Sequence, residues 1–486
     1  MNITKLNLNK VMEESTHKFS RFHLSESANI ISESIPGEKS KKLLELQKKI
    51  EGSVVSYPKS MPFAISKAKG AIIEDVDGNQ FIDFFAGCGV VNVGHSNEEV
   101  LSCVREQQNN LIHALDFPTE NKLNAIQKIL QSLPDAVQND YKVSFGGPTG
   151  SDAVEAAIKL AKIKTGRDGI IAFSGSYHGM TSAALAVTAD TAFRKNLTSL
   201  IPNVHFTPFS YQYRCPSNDD ELACKNYAIE RLKFLLENKH SGITKPAAII
   251  VESIQGEGGN IPPVAGFLNE IVEVAHRNDV LVIFDEIQSG FFRTGEFLAC
   301  MNYGVMPDII TLSKGLGGVG FPISALVYKK EVEAWGPGAH IGTFRANQVS
   351  LAAANGAFDF IEKYDVKSHT KEMGAYLMNG LFEIAKEYPF IGDIRGKGLM
   401  IGVEFVKDLY TKEPYSELVK EFRNSCLQKG LLFEVGGHYN NVLRLVPPLT
   451  ITPKIIDEAL QIMREALGGI VSENLLEKKE TLLQTI

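Results

Sequence analysis

Five short apolar runs recur between Tyr141 and Gly318, and each ends in small or polar residues: "YKVSFGG", "IIAFSGSYHG", "AIIVESIQGEGG", "LVIFDEIQSG" and "IITLSKGLGG". Runs this short and rich in β-branched residues read as strands buried on both faces, with no solvent side to impose alternation. Helical stretches such as "SDAVEAAIKLAKIKTG" and "PVAGFLNEIVEVAHRND" separate several of them. That alternation predicts an α/β fold, a mostly parallel central sheet with helices on both faces. Open sheets of this kind bind ligands outside the carboxyl ends of their strands. The polar residues of this chain lie there: Thr149-Gly150-Ser151, Ser176-Tyr177-His178, Glu252 to Glu257, Asp285 to Gln288, and Ser313-Lys314. One mouth would therefore hold an anion site, an aromatic plane, several acids and a lysine.

Asp285 is the demanding member of that set. It closes a buried strand, and an ionised carboxylate is costly to bury without a partner. "GGPTGSDAVEAA" puts glycines and hydroxyls at a helix N-terminus, where unpaired N–H groups and the helix dipole favour a phosphate; alone it also reads as an ordinary cap. Lys314, between an apolar strand and a glycine run, would alone read as solvated. An acid ending one strand and a lysine ending the next are together what a pyridine-aldehyde cofactor needs: an amine to condense with and an acid facing the ring nitrogen.

The flanks are quieter. Ile35 to Gly52 reads as a short amphipathic helix, and Gly70 to Gly87 as two strands around the Asp77-Gly78 turn. After about Phe344, "QVSLAAANGAFDFIEKY" predicts a long helix, and "IGDIRGKGLMIGVEFV" and "NNVLRLVPPLT" predict strands of a smaller α+β domain. The expected division is 1–95 with the small domain, 96–344 as the large domain and 345–486 as the C-terminal small domain, with a loose end beyond Gly469. A net charge of −7 argues against a nucleic-acid surface. No apolar run reaches the roughly 18 residues of a spanning helix, and the N-terminal "MNITKLNLNKVMEESTHKF" shows no secretory h-region. Cys88, Cys103, Cys215, Cys224, Cys300 and Cys426 have no metal-ligand spacing and fit free thiols. A cytoplasmic protein without metal, membrane or nucleic-acid partner is expected.

In order and spacing, "DVDGNQFIDFFAG", "NVGH", "GSDAVEAAIKLA", "GSYHG", "VESIQGEGG", "FDEIQSGFFRTG", "LSKGLGG", "TF" and "IRGKG" resemble the class III aminotransferases, from about Pro36 to about Leu467. The resemblance implies a fold-type-I transferase using pyridoxal 5'-phosphate. It implies that Lys314 carries the cofactor and shuttles the substrate proton, and that Asp285 pairs with the ring nitrogen. Gln288 would approach the ring 3'-oxygen, with Ile287 and Tyr177 on the two ring faces and His178 among the cofactor contacts. Thr149, Gly150 and Ser151 would hold the phosphate. Thr343 would reach it from a second subunit, making a homodimer with shared sites. Glu252 would be the acid behind these contacts. Glu257 would gate Arg395, freeing that arginine for the 2-oxoglutarate carboxylate, and Cys88 would line the substrate side of the ring.

Members acting on 4-aminobutyrate or ornithine have an arginine where this chain has Met180, in "SYHGMT", and methionine cannot pair with a carboxylate. "GGPTGSDAVEAA", "YHGMT", "HALDF" and "GTFRANQ" instead resemble the branch that exchanges the terminal amine of 2,4-diaminobutyrate with glutamate. Arg345 stands in the last of these as a candidate entrance charge. The alternatives within the fold are another ω-aminotransferase or an amino-acid racemase or epimerase. A DNA-binding regulator carrying this fold would need a basic recognition helix, which the first 50 residues do not show.

Overall fold

The computed structural model describes residues 13–195, 197–216 and 220–484, those from 473 onward by backbone alone. In chain order its strands are β1 (Ile65–Lys69), β2 (Ile72–Asp75), β3 (Gln80–Asp83), β4 (Tyr141–Phe145), β5 (Ile170–Phe173), β6 (Val204–Thr207), β7 (Ala248–Glu252) and β8 (Leu281–Asp285). They continue as β9 (Ile309–Leu312), β10 (Ala325–Lys329), β11 (Ile391–Lys397), β12 (Met400–Phe405), β13 (Leu431–Leu432), β14 (Glu434–Gly436) and β15 (Val442–Leu445).

The central sheet has seven strands in the order β4-β10-β9-β8-β7-β5-β6. Pairing is parallel from β9 through to β6. β10 runs antiparallel to both of its neighbours. Side chains alternate between two separate cores: Ile249 and Val251 of β7 pack into one, Ala248 and Ile250 into the other. β5 and β8 divide in the same way. With period-2 alternation and both faces apolar, the strand sequences become unbroken apolar runs.

The helix Gly150–Thr165 covers the second core with Val154, Ala157, Leu160 and Ala161. It opens on Thr149, whose N–H and hydroxyl both donate to Asp152 Oδ2 at 2.9 Å. It stops at Gly166, whose φ of 66° suits glycine. The helix Phe267–Arg277 covers the opposite core with Phe267, Leu268, Ile271 and Val274.

Two four-stranded sheets flank the central one, β1-β2-β3-β13 and β11-β12-β15-β14. The β2–β3 turn at Asp77-Gly78 is held by Asp75 Oδ1, which accepts from Asp77 N and Asn79 N at 2.9 Å each. Strand β13 joins the first flanking sheet by pairing parallel with β3, so the N-terminal strands and the C-terminal region share one sheet. The amphipathic helix runs Glu38–Ile50, and the long helix Gln348–Lys363 lies as the sequence indicates. The tail differs from expectation. The helix beginning at Pro453 continues to Gln484, past the Gly469 at which a loose end was expected. Its Glu, Leu and Lys residues are good helix formers and propagate a helix already nucleated upstream. Residues 1–12, most of the stretch read as lacking an h-region, lie outside the described residues.

Among the described residues no helix is long and apolar enough to cross a membrane. None of their His, Cys, Asp and Glu side chains form a group of three or more that could hold a metal ion. Among the described residues none of the six cysteines forms a disulfide.

Candidate active site

Strand register builds the centre of the site. Glu252 at the end of β7 stands opposite Asp285 at the end of β8, and Asp285 opposite Thr311 on β9. Two carboxylates side by side in a dry place need distinct roles, and their hydrogen bonds supply them. Asp285, 4% exposed, holds His178 Nδ1 at 2.7 Å with Oδ2. Its Oδ1 accepts from Ile287 N at 3.0 Å and Thr311 Oγ1 at 3.1 Å. Within the chain, then, the buried aspartate meets a histidine, whose Nε2 is buried without a partner among the described residues. Glu252 braces the neighbouring loops, accepting from Tyr177 N at 3.0 Å and Gly256 N at 2.8 Å. Burial pushes its carboxyl up to about 7; His178 opposes the shift and Asp285 adds to it. Glu286, next to Asp285, faces the other way and takes Ser289 Oγ and the N–H groups of Ala299 and Cys300.

Lys314 follows β9 with a φ of 45°, left-handed backbone that a non-glycine residue seldom adopts without a surrounding constraint. Its amine forms no hydrogen bond among the described residues. Loss of solvent pushes the ammonium below the ordinary lysine range, with Arg444 acting in the same direction and Cys88 and Asp285 opposing. A desolvated, unpartnered amine of this kind is an available nucleophile and base.

The glycine loop before the helix Gly150–Thr165 closes one end of the site. Ile287 packs over Gly150 so tightly that a Cβ there would lie 2.9 Å from its Cδ1. Gly179, at φ 131°, approaches Ser151 so closely that a Cβ would fall 2.1 Å from Oγ, and Met180 N donates to that Oγ at 3.3 Å. Asp152 N is taken by the Thr149 carbonyl at 3.1 Å, and first-turn N–H groups left unpaired at such a helix end favour an anion. Tyr177 is braced edge-on by Phe193, ring centroids 5.5 Å apart. Thr343 lies on an exposed stretch and makes no hydrogen bond among the described residues.

The opposite end corrects the expected Glu257–Arg395 pair. Glu257 pairs with Arg444 of β15, through Nη1. Arg444 is 3% exposed, and its Nη2 donates to Gln288 Oε1 at 3.0 Å. Gln288 Nε2 in turn donates to the Cys88 carbonyl at 3.1 Å, so both ends of that amide are held. Cys88 Sγ lies 3.1 Å from the Tyr57 hydroxyl. Arg395 is held elsewhere. Its Nη1 pairs at 2.7 Å with both Asp393 and Glu404, and Nε and Nη2 donate to the Gly259 carbonyl. Two antiparallel pairings, β11 with β12 and β12 with β15, separate the two arginines and decide which one faces Glu257. Arg345, the candidate entrance charge, pairs with Asp116. Arg444, Tyr57 and Glu434 are the site residues that sequence reasoning missed. Arg444 did carry a signal, as one charge inside the otherwise apolar "VLRL".

The family model described as Aminotransferase class-III matches residues 55–467. A diaminobutyrate–2-oxoglutarate aminotransferase of Haemophilus influenzae is 37% identical over 432 residues, covering 87% of this chain and 94% of its own. Its counterpart from Rhizobium meliloti is 37% identical over 436 residues, covering 87% and 93%. The crystal structure of a Bacillus anthracis aminotransferase superposes with a TM-score of 0.79 at 27% identity, covering 90% of this chain and all of that one.

Proposed function

The chain belongs to the class III aminotransferases, and on that premise we propose that it moves the terminal amine of 2,4-diaminobutyrate to 2-oxoglutarate, giving aspartate 4-semialdehyde and glutamate, with pyridoxal 5'-phosphate as cofactor. The observation that carries the cofactor assignment is the unpartnered Lys314 amine in the field of the buried Asp285. The far end of the same mouth is a helix N-terminus at Gly150 that a side chain would obstruct. When bound, the cofactor supplies an electron sink for the substrate's reacting carbon. Lys314 would hold it and carry the substrate proton. Asp285, fixed by His178, would keep a proton on the ring nitrogen. Tyr177 and Ile287 would flank the ring, Gln288 its 3'-oxygen side, and Thr149, Gly150 and Ser151 the phosphate, with Glu252 bracing the Tyr177 loop.

Arg444 replaces Arg395 as the group for the keto-acid carboxylate, released when Glu257 turns away. A guanidinium pairs with a planar carboxylate through two parallel hydrogen bonds, so substrate and Glu257 are interchangeable partners. For the donor, Met180 offers no cation, which disfavours 4-aminobutyrate, and the two curated relatives described above are named for diaminobutyrate.

A homodimer completes the reading. Ile112, Phe117, Ile341 and Phe344 expose 54, 70, 70 and 70% of their surface around Thr343. His113 and Phe344 bring the two stretches together, ring centroids 6.2 Å apart. An apolar patch of this kind on one chain marks an interface, and Thr343 would cross it to the partner's phosphate site. The large domain would then be 96–344, with 1–95 joining 345–486. Nothing in this scheme calls for a metal, a membrane or a nucleic acid, and we place the protein in the cytoplasm.

Borohydride reduction followed by peptide mapping should label Lys314. Single-turnover mixing should show amine transfer from 2,4-diaminobutyrate faster than from 4-aminobutyrate. Labelling of another lysine overturns the site, and a faster 4-aminobutyrate reaction overturns the donor.

A further inference from the structure

One carboxylate in the site is used by none of the roles above. Glu434 stands on β14 directly opposite Arg444 on β15. Opposed residues of an antiparallel pair project to the same face with their Cβ atoms about 5 Å apart. The strand is anchored by buried Leu432 and Phe433 before it, which leaves Glu434 aimed along the Arg444 side. Among the described residues Oε1 accepts only the adjacent Val435 N–H, at 3.3 Å, and Oε2 is buried with no partner. Arg444 acts on it by charge but makes no hydrogen bond to it among the described residues: its terminal nitrogens go to Glu257 and Gln288, and its Nε is buried without a partner. Arg423, from the helix Ser416–Gln428, is near enough to feel its charge but forms no hydrogen bond to it among the described residues. Burial holds the Glu434 carboxyl above the usual range, Arg444 opposes that shift and Glu257 adds to it.

The position of this carboxylate matters as much as its lack of a partner. Tyr57 and Cys88 both lie in its field, their hydroxyl and thiol are in contact, and Gln288 donates to the Cys88 carbonyl. Lys314 acts on the same Cys88 thiol with the opposite sign. Glu434 therefore stands opposite the arginine that takes the acceptor and acts on the same thiol as the amine that does the chemistry. A buried carboxylate oxygen without a partner is destabilising until something donates to it, and an ammonium does so most strongly.

We propose that Glu434 receives the ammonium of the amino donor that does not react, which makes it the residue selecting a diamine over a monoamine. This rests on the diaminobutyrate reading above. 2,4-Diaminobutyrate and 4-aminobutyrate share their reacting terminus, chain length and carboxylate, and differ by one ammonium at C2. An acid at this place attracts that ammonium and repels the bare carboxylate of the monoamine. Donor choice is thereby set by a carboxylate opposite Arg444 and by the missing charge at Met180.

The test is the ratio of kcat/KM for 2,4-diaminobutyrate over 4-aminobutyrate in wild type, Glu434→Gln and Glu434→Asp, measured on the cofactor-loaded dimer. A charge-assisted hydrogen bond corresponds to about tenfold to a hundredfold in such a ratio. Glu434→Gln should lower it by that much, mainly through KM for the diamine, and Glu434→Asp should restore part of it. A structural role would depress both donors together and leave the ratio unmoved. An unmoved ratio with wild type still preferring the diamine overturns the Glu434 assignment alone. Wild type preferring 4-aminobutyrate overturns the donor reading, and this inference with it.

Discussion

Replacing Arg444 with alanine should separate the two half-reactions. In the resting site Arg444 is 3% exposed and donates to Glu257 and to Gln288 Oε1. When the keto acid enters, its carboxylate replaces Glu257, so the net gain is the difference between two charge-assisted pairs plus the release of Glu257 toward solvent. The Glu257 side chain is already 38% exposed, so turning it outward costs little. Losing the arginine then removes a hydrogen bond to a charged group, about 1.5–3 kcal/mol, or about tenfold to a hundredfold in rate constant over KM. That loss should fall on 2-oxoglutarate and glutamate, with the diamine half-reaction much less affected, and single-turnover absorbance of each half-reaction reads the two separately. Arg395→Ala is the control. It strands Glu404, whose side chain is wholly buried, with Arg214 as its remaining cation, along with Asp393. Breaking a buried pair by removing one partner costs about 3–5 kcal/mol of stability, which thermal unfolding would show, without favouring one half-reaction. Equal losses in both half-reactions for Arg444→Ala, or an acceptor-specific loss confined to Arg395→Ala, would refute the reasoning.

Asp285→Asn should retain cofactor through Lys314 and the phosphate loop yet lose more than a hundredfold in kcat, since a pre-organised charge in a dry site acts strongly; a variant within about tenfold, roughly 1.4 kcal/mol, rules the role out. Phe344→Lys should give monomers in sedimentation velocity that release cofactor, and a fully active monomer contradicts the shared site. Acid should loosen the N-terminal segment. His23 accepts Ala71 N at Nδ1 and pairs with Thr450 O through Nε2, and burial lowers its pKa from 6.5 to about 4. His369, which meets Ile451 O at 2.9 Å, is lowered to about 4 for the same reason. With the folded value depressed, the unfolded chain binds the proton first, so this stability is present above pH 6.5 and is lost as pH falls toward 4. At pH 5 the loss is about 2 kcal/mol for each histidine. His23→Gln should flatten the fall in thermal midpoint between pH 8 and pH 5, and an unaltered fall would disprove the linkage.

What could be read from the sequence, and what could not, follows from how far apart the interacting residues lie. Strands β5, β7, β8 and β9 are legible because each is buried on both faces and so reads as an unbroken run. β6, an edge strand with three of its four residues only partly buried, carries a histidine and a threonine and gives no such run. The antiparallel direction of β10 cannot be read from "ALVYK", because strand direction depends on the path of the preceding loop. Lys314 and Asp285 are legible because chemistry confines them to strand ends, and strand ends are a local property.

The choice between Arg395 and Arg444 is of another kind. Both stand near glycines on strands of the same small sheet, and the partner of Glu257 is fixed only when Gly402 on β12 pairs with Arg444 on β15. Gly402 also lets the backbone at Gly259 approach, since a Cβ there would lie 2.4 Å from the Gly259 carbonyl oxygen. That approach holds the loop bearing Glu257 beside β15 and hands the Gly259 carbonyl to Arg395. The same physical cost nevertheless marks Arg444 and Asp285 in the sequence. A charge inside an apolar run cannot be buried without a counter-group, so "VLRL" and "LVIFD" each announce a partner whose identity only the fold supplies. For Asp285 that partner in the chain is His178, and for Arg444 it is Glu257. Glu434, which ends "LLFE", announces one in the same way, and among the described residues its Oε2 meets none.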